Sequence, residues 1–189
     1  MTAPPRAKPP QPEWPADFRR AVAALTALRP RPELAIAELD APSRLAPYSF
    51  ALSAEAPGET PGRLVLLHDP AAPAGWDGRF RLVCYLQAEL DVAHAGDELL
   101  PAVAWSWLTG ALRGAGAEHR ALGGTVTQAC SVRFGDIGGP TRADDIELRA
   151  SWTPVGDDLR THGEAFCDLL ATAAGLPPIG LVGFTPRHM

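Results

Sequence analysis

Five arginines and a tyrosine are the residues of this sequence best placed to do chemistry together. Arg63, Arg79, Arg81, Arg133 and Arg149 each sit in or beside a run of alternating apolar and polar residues. All five fall on the polar parity, with Tyr85 and the hydroxyls of Ser49, Ser53, Thr125, Thr127, Ser131 and Ser151. Guanidinium groups grip carboxylates and phosphates bidentately and stack on aromatic rings. If the runs pair in one sheet, they build an outer face fit for an acidic partner segment or an anionic ligand. The alternative is that Glu55, Glu89 and Glu147 pair with the arginines across strands and leave a merely solvated face.

A second group is His68-Asp69 with Trp76-Asp77, at the two ends of a turn-rich link. A histidine and two carboxylates there can serve as acid and base, or ligate a metal. No H-E-x-x-H spacing supports this, and turns select Asp for its hydrogen bonds to loop amides. His94, His119 and His188 fall in expected loops or the tail, and His162 lies on an apolar helical stripe as a packing residue. The third signal is aromatic. Trp105 and Trp107 lie roughly 200° apart on a helix at about 100° per residue. One core face does not bury both, so the helix either sits centrally or offers a groove to a second copy or a partner.

These residues must be positioned by a scaffold, and its spine is the stretch from Gly62 to Leu90. In Arg79–Leu90, Phe80, Leu82, Cys84, Leu86, Ala88 and Leu90 share one parity, as side chains do on a half-buried strand. Asp77-Gly78 is a turn just before it. Arg63–His68 and Tyr48–Glu55 complete an antiparallel meander, and 34–39 reads as a short edge strand or loop. Two further strands are expected at Thr125–Phe134, with Cys130, Val132 and Phe134 inward, and at Ile146–Thr153. Gly123-Gly124 marks a bulge before the first of them. Helices are predicted from Pro15 or Ala16 to Leu28, from near Leu99 to Leu112, and from Asp158 to Ala174. Asp157 or Asp158 is the expected cap of the last, and Gly175 its stop. The fold class is α+β: an antiparallel sheet of five or six strands with three helices against it, a two-layer sandwich. The expected boundaries are a disordered Pro-rich tail at 1–13, one domain at 14–178 and an extended tail at 179–189.

Composition narrows the function classes. The 189 residues are 46% hydrophobic, enough for one sizeable core. A formal net charge of −5 gives no global pull toward nucleic acid or an anionic membrane. No apolar run approaches the ~18 residues that span a bilayer. The Pro-rich start lacks the apolar segment of a secretory signal, so the cytoplasm is expected. Cys84, Cys130 and Cys167 form no C-x-x-C pair; Cys84 and Cys130 read as buried small hydrophobes and Cys167 as partly exposed. No Walker loop, Rossmann fingerprint or G-x-S-x-G occurs, so no cofactor is expected.

Several segments resemble a known family. They are Leu45-Ala-Pro-Tyr-Ser-Phe-Ala-Leu-Ser-Ala-Glu55, Gly62-Arg-Leu-Val-Leu-Leu-His-Asp-Pro70, Gly75-Trp-Asp-Gly-Arg-Phe-Arg-Leu-Val83 and Trp105-Ser-Trp-Leu-Thr109. Ala121-Leu-Gly-Gly-Thr125, Arg149-Ala-Ser-Trp-Thr-Pro154 and Ala173-Ala-Gly-Leu-Pro-Pro178 continue the series. Together they are similar to an actinobacterial family catalogued as domain of unknown function number three thousand. The resemblance spans roughly 18–178, implies a small cytoplasmic protein and carries no activity, cofactor or site residue. The element order is also similar to type III secretion chaperones, which implies a dimeric binder without catalysis.

Three functions are therefore expected in turn. The first is a non-enzymatic binding or adaptor protein, with a protein partner or a second copy, using the arginine face or the tryptophan helix. A small enzyme around His68, Asp69, Trp76 and Asp77 is the second. The third is an accessory of nucleic-acid metabolism, which the net charge disfavours.

Overall fold

The computed structural model describes residues 14–42, 44–58, 60–91 and 96–178. The expected tails at 1–13 and 179–189, with His94 and His188, lie outside these residues. Its elements are α1 (Ala16–Thr26), β1 (Ala35–Leu39), β2 (Tyr48–Ala56), β3 (Thr60–His68), β4 (Phe80–Glu89), α2 (Leu100–Gly114), β5 (His119–Val132), β6 (Arg142–Pro154) and α3 (Arg160–Ala173). The six strands form one open antiparallel sheet in the order β1-β2-β3-β4-β6-β5. This is an α+β arrangement.

Parity decides which face is core. Phe50, Leu52, Leu64, Leu66, Leu82, Cys84, Leu86, Ile146, Leu148 and Trp152 alternate along their strands and are buried under the helices. Helix α3 lies across β2, β3 and β4, with α2 beside it over β5 and β6 and α1 against α3. Each helix follows its stripe. Phe18, Ala21, Val22 and Leu25 are the buried residues of α1, and Leu100, Ala104, Leu108 and Leu112 those of α2. Helix α2 ends where Gly116 takes φ +66°, the left-handed residue that lets Ala117 N–H reach Leu112 C=O at 2.9 Å. Gly175 ends α3 in the same way, with Leu176 N–H on Ala171 C=O.

Three expectations change. Strand β5 begins at His119, six residues before the predicted Thr125, because a register shift between Arg120 and Gly123 breaks the alternation there. Cys130, Val132 and Phe134 are exposed rather than inward. Strand β4 ends at Glu89, opposite Asp145, so the β5–β6 hairpin runs on past its neighbour with no layer above it. Cys167 is buried, because α3 is flanked by α1 and α2 as well as the sheet.

Candidate functional site

The face of the sheet away from the helices carries the candidate site. Antiparallel registry sets Ser53, Arg63, Tyr85, Arg149 and Thr125 in one row across β2, β3, β4, β6 and β5. The next row is Ala51, Val65, Val83, Ser151 and Gly123. Val65 and Val83 break the polar parity of their strands and are half-buried, so they give this face an apolar floor. Pro61, Arg63, Val65, Val83, Tyr85, Gln87 and Arg149 line a shallow depression of about 500 Å³.

Electrostatics divide its two guanidinium groups. Arg149 is held by Glu147, with Nε 2.7 Å from Oε1 and a second hydrogen bond of 3.2 Å to Oε2. That bond raises the Arg149 pKa above its ordinary value. The same guanidinium lies 5.5 Å from the centroid of the Tyr85 ring, a cation–π contact that fixes both side chains. Tyr85 donates its hydroxyl to Gln87 Oε1 at 3.0 Å, and burial, followed by a hydrogen bond with Glu147, raises its pKa. Arg63 differs. Its side chain is exposed, and among the described residues it has no hydrogen bond or ion pair. An anion arriving here meets one pre-ordered cation and one free one.

The other three arginines are spent elsewhere. Arg81 donates to the Ala121 carbonyl at 2.9 Å, Thr153 Oγ1 at 3.2 Å and Ser151 Oγ at 2.8 Å. It thus braces the irregular start of β5, where Ala121 has φ +47°, and burial lowers its pKa. Arg79 lies immediately before β4, 3.7 Å from Asp17. Arg133 donates to the Pro140 carbonyl at 2.8 Å and closes the β5–β6 hairpin. The patch is therefore Arg63 with Arg149, not five arginines. Of the three glutamates expected to neutralise them, Glu147 alone does so among the described residues.

His68 is turned to the other side. It is 1% exposed, on the core parity of β3, among the rings of Phe18, Tyr48 and Phe80. Its Nε2 lies 3.2 Å from Asp17 Oδ2, and its Nδ1 has no partner among the described residues. Asp69 accepts from the Ala71 amide at 2.9 Å, Trp76 offers its carbonyl to the Thr153 hydroxyl, and Asp77 is exposed with φ +57°. His68 thus meets Asp17 of α1, a residue that sequence proximity does not point to, rather than Asp69 or Asp77. Among the described residues no group of three His, Cys, Asp or Glu is placed to hold a metal.

Trp105 and Trp107 are both half-buried, packed at the rim of the core. Trp105 covers Gly124 of β5, its Cζ3 lying 2.9 Å from where a Cβ on that glycine would sit. Sequence reading passed over a second depression, of about 340 Å³, lined by Arg29, Arg31, Gly114, Glu164, Cys167 and Asp168. Its arginines are engaged: Arg31 pairs with Glu33 at 2.9 Å and donates to the Pro177 carbonyl at 2.8 Å, and Arg29 donates to the Ala27 and Leu28 carbonyls. Asp168 is raised by burial and by Glu164. No helix among the described residues is long and apolar enough to cross a membrane.

Comparison with known proteins gives a family and no activity. No curated protein and no solved structure matches the chain. The family model described as "Protein of unknown function (DUF3000)" matches residues 14–182, which is most of the sequence, and the chain belongs to that family.

Proposed function

We propose that this protein is a binding module that takes a carboxylate-bearing partner segment on its outer sheet face. The observation that carries this reading is the row Arg63–Tyr85–Arg149 over the Val65–Val83 floor. A free guanidinium beside a stacked one supplies bidentate recognition, and the half-buried valines supply apolar area beneath the bound chain. Gln87 and the Tyr85 hydroxyl add polar groups at the rim. Nucleic acid suits the face less well, because its continuous row of phosphates would have to run along Glu55, Glu89, Asp145 and Glu147, whereas a single carboxylate meets Arg63 and Arg149 alone.

The test is selection of peptides from a random displayed library on the purified protein, followed by calorimetry. Enrichment of Asp and Glu next to apolar residues is expected, with binding lost in Arg63→Glu and weakened in Tyr85→Ala. Peptides without acidic bias, or binding indifferent to both substitutions, would overturn the reading.

A further inference from the structure

The free edge of β5 has the makings of a contact with a second copy of this chain. The strand is the outermost of the sheet and runs for 14 residues, His119–Val132. Exposed edges are ordinarily blunted by charge, proline or cover. Arg120 is the sole charged residue in β5 after His119, and no Pro or Lys interrupts it. The opposite edge, β1, is guarded: it has five residues, contains Glu38, and follows Pro32-Glu33.

What the two ends of β5 carry is complementary. Beyond its last residue the hairpin presents Phe134 at 78% exposure and Ile137 at 66%, with Val132 at 50%. Exposed apolar side chains gathered at one tip mark an interaction surface. Beside the first residues of β5 lies an open groove of about 810 Å³, lined by Thr109, Leu112, Arg113, Glu118, His119 and Arg120. Asp136 at the tip and Arg113 and Arg120 at the groove have no ion pair among the described residues. An apolar tip with an acid sits at one end, and at the other a groove where Arg113 and Arg120 outnumber its one acid, Glu118.

We infer that two copies join β5 to β5 about a two-fold axis near Val126, each hairpin tip entering the partner's groove. Antiparallel pairing of a strand with its own copy is isologous, so whatever lies at one end is carried to the other end of the mate. Centred on Val126, the pairing sets Phe134 of one copy beside Glu118 of the other and brings Asp136 toward the basic pair. The near absence of charge along β5 means that no like-charged residues oppose each other in that register. Between the register shift that ends at Gly123 and its mate Ala129, the regular strand pair is roughly 24 Å long at ~3.4 Å per residue, so the two tip contacts carry a large share of the interface. The sheet becomes twelve-stranded, and two outer faces become one. This inference stands apart from the anion-binding reading, since the residues of the two sites do not overlap.

Sedimentation velocity over a range of micromolar concentrations tests it, with circular dichroism as a control for folding. The wild-type chain is expected to sediment as a dimer, and Phe134→Asp as a folded monomer. Arg120→Asp alone and Asp136→Arg alone should each weaken association about tenfold, which the double substitution should restore. A wild-type monomer at every concentration, or a dimer insensitive to all four variants, would overturn it.

Discussion

Trp152 donates its indole N–H to His162 Nδ1 at 3.0 Å, and each of the two side chains is 1% exposed. Indole nitrogen is a donor only, so Nδ1 is an acceptor and the imidazole is neutral. Burial, followed by repulsion from His119, pushes the His162 pKa down to about 4, with Asp158 opposing. The unfolded chain takes up this proton near pH 6.5, whereas the folded one resists it until about 4. Stability from this pair is therefore full above pH 6.5 and is lost as the pH falls toward 4. The slope is about 1.4 kcal/mol per pH unit, on the order of 3 kcal/mol in all. Urea midpoints between pH 7.5 and 4 should show that decline. His162→Phe should flatten it, at a cost of about 1–3 kcal/mol for the orphaned indole.

Adjacent glycines in β5 should respond unequally to the same methyl group. At Gly123 a Cβ meets nothing within 4 Å. At Gly124, on the other face, it runs into the Arg149 carbonyl, Ala150 Cα at 2.8 Å and Trp105 Cζ3 at 2.9 Å. Two of those atoms are backbone and cannot yield by rotamer change. Gly124→Ala is expected to destabilise by about 1–3 kcal/mol and to shift Trp105 fluorescence, whereas Gly123→Ala leaves both nearly unchanged. Thermal melts of the two variants decide the matter.

Parity made most of the scaffold readable, because alternation in β2, β4 and β6 and the helical stripes are local signals. What it could not reveal was where each strand ends relative to its neighbours. Cys130, Val132 and Phe134 continue the inward alternation of β5, yet they lie past the end of β4 and so meet water. The site shows the same limit. The row Arg63–Tyr85–Arg149 needs the register of three strands, and the diversion of Arg81 needs the irregular backbone at Ala121. Both are properties of pairing, which residue types along one strand do not encode. The two valines on the polar face were the one local sign of a floor beneath the arginines.

Thiol reactivity should separate the three cysteines by environment. Burial pushes Cys84 and Cys167 up to about 12, so neither supplies thiolate at neutral pH. Cys130 is exposed on β5, opposite Asp144. A chromogenic disulfide reagent should titrate one thiol in the native protein and three in guanidinium chloride. Cys130→Ser should abolish the native reaction, and two fast thiols in the native state would contradict the packing of α3.

Asp17 ties the first helix to the end of the sheet. Burial raises its pKa, but the Phe18 amide at 2.9 Å and the neighbouring His68 outweigh this and hold the carboxyl below its ordinary value. A carboxyl lowered by folding stabilises the native state above its unfolded pKa, and that contribution is lost as the pH falls through the folded one. Removing the carboxylate also strands His68, whose Nδ1 already has no partner among the described residues and whose Nε2 would then have none. Asp17→Ala should therefore cost about 1–3 kcal/mol. The loss should be local, because α1 is anchored mainly by Phe18, Val22 and Leu25. Amide hydrogen exchange should accelerate in α1 and around His68 while β4 and β6 stay protected. Asp17→Asn, which keeps an oxygen toward the imidazole, should recover most of the protection. Equal exchange in both variants would mean that the aromatic cage around His68, rather than its bond to Asp17, holds the helix in place.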